Sequence, residues 1–91
     1  MEDDERIRAG RLLLGRRLRQ TRKAAGLTLR ETHEHIGLSI SYISELERGV
    51  SLPTLSSLLM LADAYGCRVD ELLAGVYPFG TSRRPRSAPR R

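Results

Sequence analysis

GLSISYISELERG, residues Gly37 to Gly49, decides how the rest of this 91-residue chain is read. Gly37 can take up a left-handed turn, Ser39 is placed to cap a helix, and Ile43, Leu46 and Glu47 fall on one face of the turns that follow. The segment therefore reads as a short helix with an anchored back. Its front carries Ser39, Ile40, Ser41, Tyr42, Ser44 and Glu45, a set of small hydroxyls with one aromatic and one carboxylate, suited to a flat polar surface. The expectation is a recognition helix for the major groove of DNA.

Working outward, the spacing predicts a first helix from about Asp4 to Ala25, with acids in its first turn and Gly26 as a left-handed stop. Ile7, Leu14, Leu18 and Ala25 are the expected core face, and Gly10 and Gly15 should each weaken the helix by roughly 1 kcal/mol relative to alanine. Leu12 and Leu13 lie off that face, to be covered either by the C-terminal segment or by self-association. Thr28 to Glu31 has the T-x-x-E form of a capping box for a second helix ending at Gly37. Beyond Pro53, Thr54 caps a fourth helix whose Leu55, Leu58, Leu59, Ala62 and Tyr65 repeat at three-and-four spacing up to Gly66. A short fifth helix is expected over Val69–Leu73, with Leu72 and Leu73 facing the core. The fold class is all-α.

The totals bound the function. Ninety-one residues support one modest domain, expected over 1–77. The single cysteine, Cys67, has no intramolecular partner and reads as a half-buried thiol. An acidic N-terminus and the lack of a long apolar run argue against a signal peptide or a membrane span, so a soluble, cytoplasmic protein is expected. The net charge of +5 is unevenly spread. Residues 78–91 hold five arginines and no acid, residues 6–30 hold nine cations and no acid, and residues 31–77 carry seven acids against Arg48 and Arg68. The Pro-, Ser- and Arg-rich residues 78–91 are expected to form a disordered basic tail.

LGRRLRQTRKAAGLT, GLSISYISELERG and PTLSSLLMLADAYGCRVDELL resemble, in order and register, the Cro/CI-type or XRE-like helix-turn-helix family over residues 14–74. The resemblance implies a five-helix, lambda-repressor-like domain whose third helix enters the major groove of double-stranded DNA, commonly as a homodimer on two half-sites. It places base readout on Ser39, Ile40, Ser41, Ser44 and Glu45, with Tyr42 at the edge between base and phosphate. Ile40 would suit a thymine methyl and Glu45 a cytosine amino group. Phosphate contacts fall to Thr28, Arg30 and Arg48, and Arg22 and Glu47 match positions that form an ion pair in several relatives. This chain also departs from the pattern. Leu29 stands where a phosphate-binding glutamine is usual, Thr21 and Thr32 replace leucines, and His33 replaces an alanine. A mutual hydrogen bond between Thr21 and Thr32 would offset the lost apolar contact.

His33 and His35 sit two apart on a helix and so face different ways, and no zinc-like ligand spacing joins them. No metal or other cofactor is expected. Nor is an enzyme, since the chain offers no glycine-flanked nucleophile, phosphate loop or paired carboxylates. The leading expectation is a homodimeric repressor on a near-palindromic operator. The alternative is a protein-interaction module, such as an antitoxin, with Leu12, Leu13, Met60, Val76, Tyr77 and Phe79 as surplus apolar residues for a partner.

Overall fold

The structure is a computed structural model that describes residues 5–76. Five helices follow one another: α1 (Glu5–Ala24), α2 (Leu29–Ile36), α3 (Ile40–Glu47), α4 (Leu55–Tyr65) and α5 (Val69–Leu73). No strand occurs among the described residues, so the all-α expectation holds. The expected tail, Tyr77 and Phe79 lie outside the described residues.

Local signals set the boundaries. Thr28 caps α2 through a complete capping box, its hydroxyl accepting from the Glu31 amide while the Glu31 carboxylate accepts from the Thr28 amide. Ser39 caps α3 by accepting from the Tyr42 amide, and Thr54 caps α4 by accepting from that of Ser57. At the far end, the carbonyls that α5 leaves open are met from another helix. The Arg17 guanidinium donates to the carbonyls of Leu72 at 3.0 Å and Ala74 at 2.6 Å, which fastens α5 to α1.

The core gathers Leu14 and Leu18 from α1, Leu46 from α3, Leu58, Leu61, Ala62 and Tyr65 from α4, Leu72 from α5, and Val76 after it. Four expectations need correction here. The inner face of α4 is Ser57, Leu58, Leu61, Ala62 and Tyr65, whereas Leu55 and Leu59 are 68% and 51% exposed. Leu55, Leu58, Leu59, Leu61 and Ala62 make two overlapping stripes with helical spacing, and α2 and α5 cover only one of them. Ala25 is exposed beyond the end of α1, while Val76, expected to be spare, is in the core. Leu13 packs against that core, whereas Leu12 touches Gly49 and stays 39% exposed.

The fourth correction concerns the threonines. Thr21 donates to the Arg17 carbonyl and Thr32 to that of Thr28, each one turn back along its own chain, instead of bonding to one another. Thr32 is fully buried, and the hydroxyl of Tyr65 is enclosed without a hydrogen bond. Burial pushes the Tyr65 phenol up to about 12, against the opposing pull of neighbouring Thr32.

Candidate nucleic-acid interface

The placement of α3 is governed by how α1 crosses it. Gly15 lies so close to the end of α3 that a Cβ added there would stand 2.6 Å from the carbonyl oxygens of both Leu46 and Glu47. Glycine is required at this point for close backbone approach, a use that outweighs its cost in helix propensity. One turn earlier on α1, the Arg11 Nε donates to the Gly49 carbonyl at 2.8 Å. Two turns later, Arg22 meets Glu47 through Nε to Oε2 at 2.7 Å and Nη2 to Oε1 at 3.1 Å. Both side chains of this bidentate pair are under a tenth exposed, and Arg22 Nη1 also donates to the Leu27 carbonyl. The hydrogen-bonded carboxylate of Glu47 raises the Arg22 pKa further above its ordinary range, with burial opposing. Three arginines of α1 are thus occupied in holding other elements: Arg11 and Arg22 the end of α3 and the turn after it, Arg22 also the lead-in to α2, and Arg17 the end of α5.

The outer face of α3 presents the residues expected to read bases. Ser39 and Ser41 are exposed, and Ile40, Ser44 and Glu45 are half-buried. Ser44 accepts a 3.4 Å hydrogen bond from Arg48 Nε, which draws that exposed guanidinium along the helix. Tyr42 has a more structural position than its expected place at the base and phosphate edge: its ring packs against the core and its hydroxyl accepts from the Thr54 amide at 3.4 Å. It stitches α3 to the start of α4. The imidazole of His33 braces the turn between α2 and α3, with Nδ1 donating to the Leu38 carbonyl at 2.8 Å. A carbonyl only accepts, so Nδ1 carries the proton there.

Beside α3 lies a depression of about 640 Å³ at the junction of the end of α1, the start of α2 and Ile40. Arg19, Lys23 and Arg30 stand around it, Thr28 lies at its edge, and Leu27 and Leu29 line it with Ile40. The sequence shows nine cations and no acid over residues 6–30 without separating their roles. The structure separates Arg11, Arg17 and Arg22, which hold other elements, from Arg16, Arg19 and Lys23, which share a second shallow recess. The missed signal was the alternation along α1 between cations beside core leucines and cations on the opposite side. Among the described residues, no three of His, Cys, Asp and Glu gather as a metal-binding group, and no helix is long and apolar enough to cross a membrane. Burial also raises the pKa of the Cys67 thiol, with Glu71 adding to the shift.

A short helix whose end crosses the middle of a longer one, with capped helices before it and after it, defines a helix-turn-helix domain. Comparison with known proteins places the chain in that class. Residues 13–74 match the helix-turn-helix domain family. The clp gene regulator ClgR from C. glutamicum has a similar solved structure, with a TM-score of 0.68 and 37% identity, covering 74% of this chain and 86% of that one. The HTH-type transcriptional regulator DdrOP3 of Deinococcus deserti is 46% identical over 43 residues, which is 47% of this chain and 33% of that protein. The chain therefore spans about a third of the length of this curated relative. It belongs to the helix-turn-helix family of DNA-binding regulators, in agreement with the XRE-like resemblance of its sequence.

Proposed function

We propose that the protein is a sequence-specific regulator of transcription, acting as a homodimeric repressor on a near-palindromic stretch of double-stranded DNA. The observation that carries this reading is the outward face of α3, where Ser39, Ile40, Ser41 and Glu45 are held in a fixed frame by Gly15 and the Arg22 to Glu47 pair. Serine hydroxyls both donate and accept, and a carboxylate accepts from a cytosine amino group, so this face suits the edges of bases in the major groove. Thr28, Arg30 and Arg48 supply the flanking phosphate contacts, with the open amides of the helix starts beside them. The arginines of residues 78–91 add a salt-sensitive contribution of the counterion-release kind.

Selection of randomised duplexes by the purified chain tests the reading. A two-fold motif is expected, with half-sites about one helical turn apart, and its enrichment should disappear in the Ser41→Ala, Glu45→Ala double variant. A chain that enriches no motif at low salt would sink the DNA reading and favour a protein partner instead. A single asymmetric half-site would retain DNA binding and remove the homodimer.

A further inference from the structure

The depression beside α3 combines two surfaces that seldom serve the same ligand. One is cationic, with Arg19, Lys23 and Arg30 exposed, and no carboxylate lines the depression. The other is apolar, with Leu29 and Ile40, the first residues of α2 and α3, both half-buried. The capping box satisfies the amides of Thr28 and Glu31, while the first-turn amides of Leu29 and Arg30 have no acceptor within the helix. An anion is favoured at that end, and an apolar group next to it.

In duplex DNA an anion beside an apolar group has a definite meaning. The C5-methyl of thymine is the apolar group that B-DNA displays in the major groove, and it projects on the side of its own strand's backbone. Leu29 and Ile40 can neither donate to nor accept from a base, so a cytosine amino group or guanine carbonyl set against them would lose water without gaining a partner. We propose, building on the DNA-binding reading, that this depression is a subsite for a thymidine nucleotide: Leu29 and Ile40 enclose the thymine methyl, and Arg19 and Lys23 hold the adjoining phosphate. Leu29 is then a specificity residue instead of a lost phosphate contact. Arg19 and Lys23, at the end of α1, take over the charge interaction that a leucine cannot make.

The experiment uses the full chain and its selected duplex, with thymines replaced one at a time by deoxyuridine, which lacks only the methyl group. At one thymine position in each half-site the replacement should weaken binding about four-fold, corresponding to the burial of one methyl group. Ile40→Ala should flatten that thymine-to-uracil difference. Arg19→Ala and Lys23→Ala should each lower the salt exponent of binding by about one while leaving the thymine-to-uracil ratio unchanged. Tight binding of the duplex with no methyl dependence at any position would overturn the subsite and leave the DNA reading standing. Failure to bind any duplex would overturn both. The deoxyuridine series alters only the DNA, so uniform indifference to the methyl groups overturns the subsite whether or not a protein variant folds well.

Discussion

Glu47 receives two hydrogen bonds from Arg22 in a site where both side chains are nearly closed to water. A pair so placed gains little over an apolar replacement, yet removing one member strands the other. Glu47→Leu alone should therefore cost about 3 kcal/mol in urea unfolding, and the double variant Arg22→Met, Glu47→Leu should recover a large part of it. A double variant as unstable as the single one would contradict this account. Tyr65 gives a second test at the same scale. Its buried hydroxyl has no partner, so Tyr65→Phe should leave stability unchanged or raise it. Its pKa of about 12 in the fold lies above the ordinary 10, so the folded state holds its proton more tightly. The resulting stability is fully present below pH 10 and is lost as the pH rises towards 12, by at most about 1.4 kcal/mol per pH unit. Unfolding midpoints measured at pH 9, 10 and 11 should decline for the wild type with an increment that Tyr65→Phe lacks. Neither the depth of the ion pair nor the isolation of this hydroxyl could be read from sequence, since both depend on what three other elements bring alongside.

At the scale of elements, the crossing of α1 over α3 sets where the outward face of α3 points. Gly15→Ala would improve helix propensity by roughly 1 kcal/mol, but its methyl would meet two backbone carbonyls at 2.6 Å. We expect a net loss of about 1–3 kcal/mol, measurable as a lower thermal midpoint, because the obstacle is main chain and cannot rotate away. A more stable variant would show that the two helices part without cost. The helices themselves were legible in the sequence because their ends are written in short-range chemistry: Thr28 with Glu31, Ser39, Thr54 and the glycines that follow. Gly15 was read only as a weak point in α1. Its value depends on a contact with residues over thirty positions away, for which local propensity carries no signal.

For the whole molecule, the balance between inward and outward leucines was the harder reading. Leu55 and Leu59 have the same periodicity as Leu58 and Ala62, and only the positions of α2 and α5 decide which row is covered. With Leu52 at 44% exposed, they make an apolar surface outside the core. If the proposed homodimer uses this surface, Leu55→Glu with Leu59→Glu should give a monomer by sedimentation, with lowered operator affinity and little change in thermal midpoint. A variant that remains dimeric would place the contact elsewhere. The outward face of α3 was legible from its own thirteen-residue stretch, whereas the depression beside it was not, since Arg19, Leu29 and Ile40 meet only after three helices have been placed.

The contact at Gly15 has a consequence for genetics. Because its opposing atoms are the carbonyl oxygens of residues 46 and 47, no exchange of side chain at either position can make room for a larger residue at 15. Second-site revertants of Gly15→Ala selected for restored DNA binding should therefore map outside positions 46 and 47 and act by adding stability elsewhere in the domain. The position is closed to local compensation, so a lineage carrying this fold would find it easier to rewrite the outward residues of α3 than the glycine that aims them.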